Sequence, residues 1–281
     1  MKGYKSLDIR KMTKEERIKR AHEHTEFMET HYKEWIDFSE RRSVNYTMSA
    51  FDELVYEARM RGGRETGIFV TDKTSVEQIF DVYYPRTKIA VLNFASFKHP
   101  GGMFLEGSST QEESLCHSSY LYNVLRRFEY KYYKNRLNAL NNALYRSEVL
   151  YTKNVTFMDY DENGELLDMA HGIDVITCAA PNVGVYTKYH KDYDIRTIET
   201  ELMDRINLIL STAAVNGTNI LILGAFGCGV FKNDPHLVAD IFYDLLTGYY
   251  EGIFDYVFFP IPDGKDGNYK VFYKVFEEDR L

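Results

Sequence analysis

The sequence predicts an α/β fold, a sandwich on a mostly parallel or mixed sheet, with an N-terminal helical extension in front of it. Two observations carry this reading. From about Gly67 onward, short apolar runs alternate with segments of helical periodicity. Before that point charged residues dominate and no such run occurs. Strands alternating with helices imply helices packed on both faces of one sheet.

In the extension, Thr13-Lys14-Glu15-Glu16 has the S/T-x-x-E pattern of a capping box. A helix is predicted from there to about Glu40, with Ile18, Phe27, Trp35 and Phe38 as buried contacts, and a second over Met48–Met60. The expected division is residues 1–64 as the helical extension and 65–281 as the main domain. In the main domain the runs GIFV, KIAVLNFA, VLYTKNVTFM, IDVITCAA, NILILG and DYVFFPI are rich in Val, Ile and Phe. Gly, Pro, Asn or Asp bound them, as expected of strands covered on both faces. Helical spacing lies between them. It is carried by Leu115, Leu121, Tyr122, Leu125 and Phe128 within 111–146, by Leu202, Ile206, Ile209 and Leu210 within 199–215, and by Leu237, Val238, Ile241, Phe242, Leu245 and Leu246 within 235–247.

Composition excludes several classes. The chain has 281 residues and a formal net charge of −8, with no basic run to meet a nucleic-acid backbone or an acidic membrane. An anionic ligand must then be met by backbone N–H groups and helix N-termini. No apolar run reaches the ~18 residues of a membrane span, and the N-terminus lacks the apolar core of a signal peptide. The three cysteines, Cys116, Cys178 and Cys228, are widely spaced, which fits a reduced cytoplasm and gives no structural zinc motif. The eight histidines show no metal-ligand spacing, and neither a metal nor a cofactor is called for. Cys116 and His117 are adjacent, and neighbours on a helix do not face each other, so they make no dyad.

In parallel sheets ligands sit at the carboxyl ends of strands, in the loops that lead into helices. Two loops fit. HPGGMFLEGSSTQEESLCHSS, residues 99–119, follows KIAVLNFA and places Glu112 and Glu113 at a helix start. Thr110-Gln111-Glu112-Glu113 is itself a capping box, so Glu113 could be only a cap. Gly101, Gly102 and Gly107 favour a loop that wraps a ligand, with Asn93 beneath it. GAFGCGVFKNDP, residues 224–235, follows NILILG and ends in Asp234 and Pro235, a cap and first-position pair for the next helix. It is neither a Walker A loop nor a G-x-G-x-x-G turn. A diphosphate cradle and a plain tight turn both remain open.

Taken together, GG-M-FLEGSST-QEE and LGAFGCGVFKNDP, with VLNFASFKHP, SLCHSSYLY, VITCAAPN and FFPIPD in the same order, resemble the poly(ADP-ribose) glycohydrolases in their short bacterial form. The similarity spans roughly residues 65 to 276. It implies a macrodomain-like α/β/α sandwich that hydrolyses ribose–ribose O-glycosidic bonds of poly(ADP-ribose) on modified proteins. By motif position Glu113 matches the catalytic glutamate, Glu112 the acid that orients the ribose, and Gln111 their support. Gly101 and Gly102 match the catalytic-loop glycines, and Gly227, Cys228, Gly229, Val230 and Phe231 the diphosphate loop with its aromatic. In this family one glutamate protonates the leaving oxygen and then activates water, while the substrate's diphosphate helps to hold the ribosyl cation. Two positions depart: Met103 stands for the third signature glycine, and Ser96 for the usual asparagine. They keep open a mono-ADP-ribosyl hydrolase and a non-hydrolytic ADP-ribose reader, although a reader has no need of two glutamates.

Overall fold

The computed structural model describes residues 7–47, 55, 65–134, 140–161 and 163–278. Helix α1 (Lys14–His31) starts at the expected capping box: the Thr13 N–H donates to Glu16 Oε2 at 2.7 Å, and the Glu16 N–H to Thr13 Oγ1 at 3.2 Å. The single helix to Glu40 is instead two. Tyr32 leaves helical geometry at φ −121° and ψ 18°, and α2 (Lys33–Arg42) follows. The inward residues are Ala21, His24, Met28, Ile36 and Ser39, whereas Ile18 and Phe38 are half-buried and Phe27 and Trp35 are 46% and 56% exposed. Small Ala21 permits close packing, while the bulkier Phe27 stays outside and stacks on His31 at 4.3 Å. Arg127 ties both helices down, donating to Glu29 at 2.8 Å, to Glu40 at 2.9 Å, and to Asp37. The helix expected over Met48–Met60 lies outside the described residues, except for Val55, which is helical and buried.

All six expected strands form: β2 (Gly67–Thr71), β3 (Ile89–Phe94), β4 (Glu148–Tyr160), β5 (Leu166–Cys178), β6 (Ile220–Ile222) and β7 (Tyr256–Pro260). A further strand, β1 (Val44–Thr47), comes from the N-terminal stretch and pairs antiparallel with β4. Its four residues are half polar and too short to stand out as an apolar run. The sheet order is β1-β4-β5-β3-β6-β7-β2. The β4–β5 pair is antiparallel, and β5, β3, β6, β7 and β2 are mutually parallel along the row.

Between the strands lie α3 (Ser75–Val82), α4 (Gln111–His117), α5 (Leu121–Leu125), α6 (Val183–Tyr189), α7 (Ile195–Val215), α8 (Pro235–Thr247) and α9 (Asn268–Tyr273). The helical pattern of 111–146 is broken at Ser118 (φ −108°, ψ 9°), and α5 passes into a 3₁₀ turn and a π turn. Strand alternation feeds two cores. Ala90 and Leu92 of β3 pack toward α7 and α8, and Ile89 and Val91 toward α1, α4 and α5, giving an α/β/α sandwich. Among the described residues no helix is long and apolar enough to cross a membrane. The three cysteines are free. The parallel rows bring the ends of β3, β6, β7 and β2 to one edge of the sheet, where the two candidate loops meet.

Candidate active site

The first loop is shaped by two left-handed glycines. Gly101 and Gly102 have φ +67° and +63°, a region that disfavours any side chain. A Cβ on Gly102 would stand 2.4 Å from Glu113 Oε1 and 2.9 Å from Glu112 Oε2, so the loop lies directly on both carboxyl groups. A Cβ on Gly101 would meet the Tyr122 ring at 2.7 Å. Gly107 serves another purpose than the expected ligand wrap. Its backbone presses on α1, where a Cβ would be 2.7 Å from the Lys14 carbonyl, and its own carbonyl accepts from Arg17 Nε at 2.7 Å. Met103 does not share the positive φ of the glycines before it, and its side chain is 48% exposed on the cavity rim.

Both glutamates are buried, at 2% and 3% exposure, yet both reach the cavity wall. Glu112 accepts from Asn93 Nδ2 at 3.2 Å and from the Ser96 N–H at 2.7 Å. Burial pushes its carboxyl up to about 8 against these hydrogen bonds, and the neighbouring Glu113 charge adds to the rise. Glu113 Oε1 accepts from the Met103 N–H at 2.9 Å; Oε2 accepts from the Thr110 N–H at 2.8 Å and from the Thr110 hydroxyl. Glu113 is thus bonded to the residue that caps α4, while its other oxygen faces the glycine loop. Gln111 stitches the strand end to the helix: its Nε2 donates to the Leu92 carbonyl at 2.7 Å and to Ser75 Oγ at 3.1 Å, and its Oε1 accepts from the Phe94 N–H at 2.9 Å. Asn93 is fully buried and stands behind Glu112, off the cavity wall, so it positions the acid where ligand contact had been expected. Ser96 lines the cavity, and its Oγ accepts from the Lys98 and His99 N–H groups, closing a tight turn.

The second loop divides its glycines. Gly227 (φ +73°) is demanded by the protein: a Cβ there would be 2.4 Å from Asn233 Nδ2 and 2.5 Å from Ala180. Gly229 has no neighbour within 4 Å of a Cβ and lines the cavity. Val230 is 73% exposed on the same wall, and Phe231 is half-buried there. Cys228 does not line the cavity; burial pushes its thiol up to about 12. Asp234 and Pro235 begin α8 as expected, but Asp234 Oδ1 takes the His236 N–H at 2.9 Å. No residue of α8 lines the cavity, so an anion here meets the loop rather than that helix terminus.

The two loops enclose a cavity of about 570 Å³, within the range of small-molecule sites and mostly apolar with a few convergent polar groups. Three further parts of the wall were given no residue role from the sequence, although the second of them overlaps the FFPIPD segment. They are Thr74 and Ser75 at the start of α3, the segment after β7 that includes Ile261, Pro262 and Asp266, and Arg10. Arg10 is the one basic residue on the wall among the described residues. It sits on a 3₁₀ turn (Ile9–Lys11), forked onto Asp8 at 2.7 and 3.0 Å. Arg17 joins that turn to the first loop, donating to the Ile9 carbonyl at 3.3 Å and the Met12 carbonyl at 2.5 Å as well as to Gly107. A lone arginine in a charged N-terminus gives no sequence signal. Among the described residues no three His, Cys, Asp or Glu side chains converge as metal ligands.

Comparison with known proteins bears on this geometry. The chain matches the family described as microbial-type PARG, catalytic domain, over residues 3–159. Poly(ADP-ribose) glycohydrolase from Thermomonospora curvata is similar in structure, with TM-score 0.78 and 28% identity, covering 93% of this chain and 100% of that one. The enzyme from Deinococcus radiodurans in complex with ADP-ribose is 30% identical with TM-score 0.77, covering 88% of this chain and 98% of the other. The Thermomonospora curvata enzyme bound to the inhibitor ADP-HPD gives TM-score 0.78 at 28% identity, with the same 93% and 100% coverage. No curated protein matches the chain. The family match takes in more than half of the sequence, and the chain belongs to the microbial-type poly(ADP-ribose) glycohydrolase family.

Proposed function

We propose that this protein is a glycosidase that hydrolyses the ribose–ribose O-glycosidic bonds of poly(ADP-ribose), with Glu113 as general acid and then general base. The observation that supports this most is the pair of buried carboxyls pressed against Gly102 on the wall of one cavity. Glycoside cleavage needs a proton for the leaving oxygen and a base for water. Glu113, protonated once the substrate's diphosphate is bound beside the two buried acids, gives its proton to the ribose oxygen that departs with the shortened polymer. Water then adds to the ribosyl cation and returns a proton to Glu113, releasing ADP-ribose. Glu112, fixed by Asn93 and Ser96, orients the ribose by hydrogen bonding. The diphosphate lies along the backbone at Gly229 and Val230 with Phe231 against the distal ribose. The ligand is ADP-ribose at a polymer terminus on modified proteins. The three free thiols fit a reducing compartment, and the cytoplasm is the setting we favour.

The exposed Met103 side chain on the rim supports a second reading, in which the terminal ADP-ribose of a mono-ADP-ribosylated protein is released. Both readings are tested by following free ADP-ribose from poly(ADP-ribose) and from mono-ADP-ribosylated protein, with Glu113→Gln beside the parent. The expected outcome is polymer cleavage by the parent and a ~10²- to 10⁴-fold slower variant that still binds ADP-ribose within a few-fold. Near-normal turnover by Glu113→Gln would leave Glu113 as a helix cap alone.

A further inference from the structure

Behind Phe231 lies a small third core of Phe97, Tyr145 and Ala179. The Phe97 and Tyr145 rings stack at 4.2 Å with an interplanar angle of 5°, and Phe231 meets Tyr145 edge-on at 6.0 Å. Phe97 follows Ser96, whose N–H holds Glu112, and Phe231 belongs to the second loop. Tyr145 therefore makes one of two ring contacts that join the sides of the cavity, the other being Phe94 against Phe226 at 5.9 Å.

The backbone that carries this ring is unusual. Asn141, Asn142, Ala143 and Tyr145 have φ of +42°, +51°, +76° and +66°, a region that non-glycine residues rarely occupy in succession. Such a conformation persists only where the surroundings over-determine it. Here they do. The Arg205 side chain is wholly buried and donates to the Leu144 and Tyr145 carbonyls at 3.2 Å each, to the Ala179 carbonyl, and to Ser147 Oγ at 3.1 Å. The Asn182 N–H donates to the Ala143 carbonyl at 2.9 Å, and its Nδ2 to the Tyr145 hydroxyl at 3.4 Å. Asn182 in turn leads into α6, whose Gly184 N–H donates to the Phe231 carbonyl at 3.0 Å. A buried guanidinium spent on carbonyls, and a tyrosine kept where glycine would relax the chain, both serve to hold one ring in place.

We infer that Tyr145 is a positioning residue: its ring sets Phe231 against the ligand and keeps the second loop in register with the first. The inference rests on the ADP-ribose site proposed above. It concerns ligand binding rather than the reacting atoms, so it predicts a change in KM and in ADP-ribose affinity with little change in kcat. A merely structural role would instead lower the fraction of folded enzyme, which reduces apparent kcat and leaves KM alone.

The test compares Tyr145→Leu, which fills much of the volume without a flat ring, with Tyr145→Phe, which keeps the ring and loses the hydroxyl. KM and kcat are measured on poly(ADP-ribose), and affinity by calorimetric titration with ADP-ribose. Tyr145→Leu should raise KM and the ADP-ribose Kd about tenfold, with kcat within about threefold, and Tyr145→Phe should restore both to near the parent's values. If Tyr145→Leu does not fold, Phe97→Leu removes the other stacked ring and is read in the same way. Unchanged KM and Kd in the leucine variant, in a parent that binds ADP-ribose, would overturn the inference and leave the proposed function intact. A parent that binds no ADP-ribose would overturn the proposed function itself, and this inference with it.

Discussion

Gly229→Ala separates ligand contact from folding more cleanly than any other change in the site. The new methyl would find no heavy atom within 4 Å, and Gly229 lacks the positive φ of Gly224 and Gly227. The folded chain therefore accepts it, and the loss of unfolded-state freedom stabilises the protein by ~0.4–1 kcal/mol. At ~2–4 °C per kcal/mol for a chain of this size, melting should rise by no more than a few degrees. With ligand the outcome reverses. Gly229 lines the cavity where the diphosphate is proposed to approach the backbone, and the methyl would crowd that approach. Forfeiting one charge-assisted hydrogen bond costs ~1.5–3 kcal/mol, or roughly 10- to 150-fold in affinity. Gly227→Ala is the contrast. Its Cβ would fall 2.4 Å from Asn233 Nδ2 in a left-handed backbone, so its melting temperature should fall together with affinity. The assay is calorimetric titration with ADP-ribose, with melting curves in its presence and absence. Gly229→Ala binding within twofold of the parent, at unchanged stability, would remove residues 224–231 from the diphosphate site.

Gly102→Ala should lower kcat on poly(ADP-ribose) by ~10² or more, because its Cβ displaces the Glu113 carboxyl from the reacting centre; turnover within threefold of the parent would show that the loop yields freely. Met103→Gly should raise kcat/KM on poly(ADP-ribose) relative to mono-ADP-ribosylated protein, since the exposed side chain narrows the rim that a polymer must cross, and an unchanged ratio would mean that Met103 plays no part in selection. Stability should peak near pH ~6.5 in melting curves at constant ionic strength, and a monotonic curve from pH ~4.5 to ~9 would contradict the assignment. Above ~6.5, Glu112, raised to about 8 by burial, binds more proton folded than unfolded, so stability falls by ~1–2 kcal/mol as pH rises through that window; below ~6.5, His24 and His117, lowered by burial to about 4 and about 3, refuse protons that the unfolded chain accepts, and two histidines outweigh one carboxyl.

The six strands of the main domain were legible because burial on both faces leaves an apolar run that short-range reading detects. The start of α8 was legible for a different reason: Asp234-Pro235 encodes a cap and a fixed φ within two residues. What escaped depends on long-range contact. β1 is a strand because β4 offers it an edge, and nothing in Val44–Thr47 announces this. Phe27 and Trp35 looked like core residues by hydrophobicity, but docking of α1 and α2 on the sheet turns the face with Ala21, Met28 and Ile36 inward and leaves those two rings outside. Arg10 reaches the cavity because Arg17 bonds the N-terminal turn and the first loop at once, a side-chain contact spanning 90 residues, and because the Leu7 N–H holds the turn to the Tyr160 carbonyl.

Glu113 is a helix cap and a cavity-wall residue at once. Glu113 accepts from the Thr110 N–H as a capping residue does, and its other oxygen lies against Gly102 on the cavity wall. One side chain can do both because α4 begins where β3 ends, so the helix terminus and the ligand site share the same residues. The glycines divide on the same principle. Gly107 is required by α1, Gly227 by Asn233 and Ala180, and Gly102 by the two glutamates. Among the described residues none lies within 4 Å of a Cβ on Gly229, so packing does not demand glycine there. The Met103 backbone does not need glycine either, so a side chain there leaves the fold unstrained.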